Sequence, residues 1–211
     1  MAHGIERLGL DEVEAIARDC LLRAGVAPAG AGATAAAVTA AERNGMRTAG
    51  FDRLARLLEG IAMGAIAPGA APQASRDLPG RITVAARGGL SDPALSLGLS
   101  LLEPVVREAG IATLSVTGAG ETGHLLVWAE RLSEAGLTAV ALSATGGLLV
   151  MPGGPNAAGP VVPLGTVGDM TAAGALLTAL AGAGPGIEID ADLPLDRPAE
   201  AALCLVALSP A

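Results

Sequence analysis

Ile111-Ala112-Thr113-Leu114-Ser115-Val116, followed by Gly118-Ala119-Gly120-Glu121-Thr122-Gly123-His124, is the stretch on which the reading of this chain turns. The first six residues read as a strand, the glycines as a sharp break, and Thr122 to Ala135 as a helix. Leu137 to Ser143 reads as the next strand. Upstream, Ile82-Thr83-Val84 reads as a strand and Pro93 to Ala109 as a helix, with a kink expected at Pro104. This alternation predicts an α/β fold, a sheet with helices on its faces.

Outward from that core, three helices are expected first. Asp11-Glu12-Val13-Glu14 opens one, with Asp11 as its cap, Glu14 at the capping-box position and Val13, Ile16, Ala17, Cys20 and Leu21 on a buried face. An Ala-rich helix follows from about Ala31 to Asn44. A third spans Phe51 to Met63, with Leu54, Leu57, Leu58 and Ile61 inward and Arg53 and Arg56 on its polar side. Pro68 and Pro72 mark a linker. Thr171 to Ala181 reads as a further helix and Leu203 to Leu208 as a closing strand. The division expected is a helical segment over 1–70 packed on an α/β core over 80–211.

Composition narrows the function. The 211 residues include two aromatics, Phe51 and Trp128, so a site that stacks bases is not expected and the core must be built from small side chains. The net charge of −8 with scattered basic residues argues against nucleic acid or an anionic membrane as partner. Cys20 and Cys204 lack partners at metal-ligand spacing, which suits a reducing cytoplasm. Glu6, Asp11, Glu12 and Glu14 do not suit a signal peptide. Residues 135–168 carry no charge, but Gly and Pro interrupt them too often for a membrane helix.

Few residues could carry chemistry. Gly118, Gly120 and Gly123, after a strand and before a helix, fit the context of a dinucleotide-binding turn. The carboxylate that should follow about 20 positions on is missing, so a tight strand-to-helix turn is the competing reading. His124, expected in the first turn of the helix, is a candidate proton donor or an ordinary helix-face residue. Glu121 is a second candidate, or a carboxylate favourably placed near a helix dipole. His3 lies near a terminus and reads as inert. Glu188, Asp190, Asp192, Asp196 and Glu200 lack calcium-loop spacing and read as a solvated linker.

The segment from Ala41 to Leu54, Ala-Glu-Arg-Asn-Gly-Met-Arg-Thr-Ala-Gly-Phe-Asp-Arg-Leu, closed by Gly64-Ala65-Ile66-Ala67-Pro68, resembles the signature of the malate/L-lactate dehydrogenase family. That family carries Gly-x-x-Ser-His-Gly-x-x-Arg here. Gly45, Gly50 and Arg53 match, Thr48 replaces the serine, and Ala49 replaces a histidine that the family uses for proton transfer. The likeness runs on through Ala109-Gly110-Ile111 to Glu134-Ala135-Gly136-Leu137. In that register a second family histidine falls on Glu121 and the family's glycine on Gly123, a reading preferred here to the dinucleotide turn. Pro152-Gly153-Gly154 resembles a family turn, and Pro163-Leu164-Gly165 with Leu180-Ala181-Gly182 resembles a late cofactor loop whose lysine is lost. Asp169-Met170-Thr171 offers another alignment, and the final strand favours the first.

Membership implies a mixed sheet flanked by helices, a homodimer, a nicotinamide cofactor and a 2-hydroxy or 2-keto acid substrate. The missing histidines point to a degenerate relative, impaired in catalysis and serving as a binding or partner subunit, alone or with an intact homologue. The resemblance leaves NAD(P) as the cofactor if any is retained. An active oxidoreductase with a rebuilt site is the alternative, with Arg53 and Thr48 at a substrate carboxylate and Glu121 or His124 handling the proton. A small-molecule sensor would keep Arg53 and the glycine loop for binding alone.

Overall fold

The structure, a computed structural model, describes residues 8–121, 124–143, 146–150, 161–165 and 201–208. It opens with α1 (Leu10–Arg23), α2 (Pro28–Arg43), a 3-10 turn (Arg47–Ala49) and α3 (Phe51–Ala62). Strands β1 (Gln73–Leu78) and β2 (Arg81–Ala85) lead into α4 (Ser91–Ala109), β3 (Ile111–Thr117), α5 (Leu125–Glu134) and β4 (Thr138–Ser143). Strands β5 (Gly146–Val150), β6 (Val161–Gly165) and β7 (Ala201–Leu208) complete the described elements.

All seven strands form one mixed sheet in the order β1-β2-β3-β7-β4-β5-β6. Strands β2 and β3 are parallel and joined through α4. Strand β7 lies antiparallel between β3 and β4, pairing Leu208 with both Ile111 and Thr138. The α/β expectation therefore holds, and the sheet is mixed.

Every second residue of β3 (Ala112, Leu114, Val116) is buried, the alternation of a strand with one face on the core. Those residues share a cluster with Leu95, Leu102 and Val106 of α4, Trp128 and Leu132 of α5, and Ala37 and Ala41 of α2. Helix α2 thus shares a core with α4, α5 and the sheet. A second cluster joins Ala17 and Leu21 of α1 to Val38 of α2, Leu54 and Leu57 of α3, and Ile66 and Leu90.

Several local expectations are corrected. The cap of α1 is Gly9, whose N–H donates to the Glu12 carboxylate at 2.7 Å, so Asp11 and Glu14 do not form the capping box. Ile16 is 40 % exposed and the buried face narrows to Val13, Ala17 and Leu21. Strands β1, β5 and β6 were not foreseen as strands. Helix α4 begins two residues early, at Ser91, and contains Pro104, the position of the expected kink. The expected helix over 171–181 lies outside the described residues. Among the described residues, no helix is long and apolar enough to cross a membrane.

Candidate functional site

The site is assembled from α3, the N-terminus of α4 and the loop after β3. Phe51 starts α3, and its N–H donates to Glu42 Oε1 of α2 at 2.7 Å. The Glu42 carboxylate passes under Gly50, where a Cβ would lie only 2.0 Å from Glu42 Oε1. Glycine at 50 therefore lets a carboxylate reach the amide end of α3, where it is favoured electrostatically. The helix so fixed carries Arg53 inward: Arg53 is 5 % exposed and buried beside Leu54 and Leu57. This corrects the placement of Arg53 on a polar helix face; Arg56 does lie exposed, its guanidinium donating to the Thr48 carbonyl at 2.7 Å.

The loop after β3 is stitched to its neighbours by backbone bonds. Gly88 N–H donates to Gly118 O at 2.6 Å, Gly120 N–H to Gly89 O at 2.8 Å, and Ala67 N–H to Gly88 O at 2.8 Å. Gly118 takes a left-handed φ of 62°. A Cβ on Gly120 would meet Gly88 O at 2.7 Å and Ala65 O at 3.1 Å. The absent side chain at 120 is thus accounted for by packing against two other loops. Gly123 lies outside the described residues.

Arg53 meets two carboxylates. Its Nη2 donates to Asp92 Oδ2 at 2.7 Å and to Glu121 Oε1 at 2.9 Å, and its Nε donates to Glu121 Oε2 at 3.4 Å. Glu121 Oε1 also accepts the Ser91 amide at 3.1 Å and the Ser91 hydroxyl. Asp92 is fully buried, and its Oδ1 accepts the Trp128 indole N–H at 3.2 Å. Burial alone would lower the Arg53 guanidinium, but the charges of Asp92 and Glu121 overcome it and hold the arginine protonated. Burial pushes the Asp92 carboxyl above the usual carboxylate range, against the downward pull of Arg53.

His124 is the N-cap of α5, with extended backbone, so the helix starts at Leu125 and not at Thr122. Glu121 consequently sits in the loop and not in a helical first turn. Its carboxylate is engaged by Arg53 and Ser91 and does not serve as a dipole partner for α5. Partial burial lowers the His124 imidazole below its ordinary range, and the Arg53 charge lowers it further.

The predicted residues Thr48, Arg53, Gly120, Glu121 and His124 line one cleft of about 390 Å³, shared with Arg56, Leu57 and Ile66. Ala49 is buried in the main core cluster. Ser91, Asp92 and Trp128, none of them a site candidate from sequence, complete the site. Ser91-Asp92 resembles an ordinary helix start, and the one usable signal was Trp128, a buried indole that needs an acceptor. His3 lies outside the described residues, and among those described no group of His, Cys, Asp and Glu could hold a metal ion.

The sequence profile of malate/L-lactate dehydrogenase matches residues 8–164. A Delta(1)-pyrroline-2-carboxylate/Delta(1)-piperideine-2-carboxylate reductase of Pseudomonas aeruginosa is 35% identical over 135 residues, 64% of this chain and 40% of that protein. A (2R)-3-sulfolactate dehydrogenase (NADP(+)) of Chromohalobacter salexigens is 34% identical over 137 residues, with the same two shares. The match thus spans about two fifths of the length of these curated relatives. Among solved structures, delta1-piperideine-2-carboxylate reductase from Pseudomonas syringae superposes with a TM-score of 0.73 at 18% identity, covering 98% of this chain and 82% of that one. Malate dehydrogenase from Pyrococcus horikoshii gives 0.67 at 15%, covering 96% and 75%. These superpositions bear on the fold alone. With more than half its length matched by the profile, the chain belongs to the malate/L-lactate dehydrogenase family.

Proposed function

We propose that this chain is a catalytically impaired member of its family, acting as a binding or partner subunit beside NAD(P)-dependent 2-hydroxy-acid dehydrogenases. One observation carries the reading: the Arg53 guanidinium, which the resemblance would assign to a substrate carboxylate, is 5 % exposed and already held by Asp92 and Glu121. An incoming carboxylate would have to displace one that belongs to the chain. The position of the proton-transferring histidine is Ala49, which has no ionisable group. A lost general acid or base costs roughly 10²–10⁴ in rate.

Nicotinamide binding is expected to be weak, because no lysine-bearing late loop is recognisable and no carboxylate follows the glycine turn at ribose-binding spacing. The NAD(P)-linked oxidation of malate, lactate and similar hydroxy acids, followed at 340 nm, is expected to be absent. A steady rate that vanishes in His124→Ala or Glu121→Gln would overturn the proposal. Such a rate would favour the second reading, an active oxidoreductase with a rebuilt site. That reading draws on the joint placement of Thr48, Arg53, Glu121 and His124 around one cleft and on the neutral imidazole that a lowered His124 provides.

A further inference from the structure

We propose that the Glu121 carboxylate is a built-in plug in a carboxylate receptor formed by Arg53 and Ser91, and that the receptor takes a small monocarboxylate when the plug is removed. The receptor's shape is given by what Glu121 receives. Nη2 and Nε of Arg53 address its two oxygens side by side, and the Ser91 amide and hydroxyl add two more donors on Oε1. A guanidinium fork with both oxygens engaged is the geometry of carboxylate recognition. The Ser91 amide opens a 19-residue helix, so the helix dipole favours the same negative charge.

These donors are held without Glu121. Asp92 anchors Arg53 at 2.7 Å from below, and Trp128 anchors Asp92 in turn. Ser91 is fixed by its place in α4, where it is buried. The plug itself comes from a loop, and its side chain is 15% exposed against 6% for Arg53. It also borders the 390 Å³ cleft, so the space it fills is open to small solutes. Truncation to alanine removes the methylene and carboxylate of Glu121 and leaves a gap of acetate's composition. It also takes one negative charge from a site where Arg53 then keeps a single carboxylate and Arg56 stands nearby. The Asp92 carboxylate on the same Nη2 disfavours a dianion such as sulfate.

The inference rests on the proposed function only in treating Arg53 as withheld from outside ligands. The test is thermal unfolding of the full chain and its variants at neutral pH, in sodium acetate or sodium chloride of equal ionic strength. In Glu121→Ala, acetate should raise the melting temperature saturably, by about 3–6 °C at tenfold excess over its dissociation constant. Wild type, Glu121→Gln and the double variant Arg53→Met/Glu121→Ala should show no acetate-specific rise. If Glu121→Ala does not fold in chloride, recovery of its circular dichroism on refolding in acetate would support the plug. Failure to recover in either salt, no rise in the folded variant, an equal rise in wild type, or an equal rise with sulfate would overturn it. Turnover by wild type would sink the proposed function through the 340 nm assay, whereas an unresponsive Glu121→Ala would sink the plug alone.

Discussion

Arg53→Met is the perturbation that tests most of the site at once. Methionine keeps the apolar stem and removes the charge. The side chains of Arg53 and Asp92 are 6% and 0% exposed, so the variant leaves a fully buried carboxylate with only the Trp128 N–H as donor, and Glu121 with only Ser91. Breaking a buried ion pair from one side costs about 3–5 kcal/mol, whereas an exposed pair is worth at most about 1 kcal/mol. For a chain of this size the buried figure corresponds to a fall of roughly 6–20 °C in melting temperature. The pH dependence has a definite sign. Asp92 already has a raised carboxyl in the folded chain, and losing Arg53 raises it further. A carboxyl raised on folding gives stability that is present below its unfolded value and lost as pH rises through the folded value. The deficit of Arg53→Met should therefore grow from pH 5 to pH 8. Urea unfolding at both pH values, with Arg53→Met/Asp92→Asn/Glu121→Gln as the charge-free control, measures it. A loss below about 1 kcal/mol, or one that does not change with pH, would refute the buried-pair argument.

His124, lowered in the folded chain, should titrate below its ordinary 6.5 by NMR, with the signal assigned by its loss in His124→Gln; stability should fall as pH drops from 6.5 toward the folded value, and the variant should lose that slope. Gly120→Ala should cost about 1–3 kcal/mol of stability, read as a lower denaturant midpoint with an unchanged slope, because the new methyl meets the Gly88 and Ala65 carbonyl oxygens and backbone cannot yield as a side chain would. Between Ala135 and Gly186 only Asp169 is charged, so a homodimer or a heteromer with an intact homologue is expected. Size exclusion with light scattering should give twice the 20.5 kDa chain mass, lowered by Leu149→Asp or Val162→Asp without unfolding; a monomer that ignores a co-expressed homologue would refute it.

Much of the fold was legible because its elements carry local periodicity. Leu54 and Leu57 mark α3 by spacing alone, and Ala112, Leu114 and Val116 mark β3. Strand β1 escaped because Gln73–Leu78 is largely polar and exposed at a sheet edge, where no buried face imposes alternation. The start of α5 was misjudged because Gly118 and Gly120 are held by Gly88 and Gly89, about 30 residues upstream, a constraint that local sequence does not carry, and the helix opens only after His124. The same limit governs the site. Arg53 and Glu121 were singled out one by one, but their bond spans 68 positions, and Asp92 fell just outside the expected helix that opened at Pro93. Arg53 was misassigned to solvent because an arginine at that spacing is ordinarily exposed; only its two carboxylates permit burial.

Strand β7 acts as a keystone. It is the hydrogen-bonded link between β1-β2-β3 on one side and β4-β5-β6 on the other, among the described strands. On a ribosome, both halves emerge before residues 201–208 exist to join them. Until that insertion, β3 and β4 each present an open edge of unpaired N–H and C=O groups, a template for strands of other chains. Closure over so long a sequence separation is slow. A nascent chain stalled before Ala201 would therefore be a half-zipped sheet with two adhesive edges, and its yield in cells should depend on chaperone capacity more than on the stability of the finished fold.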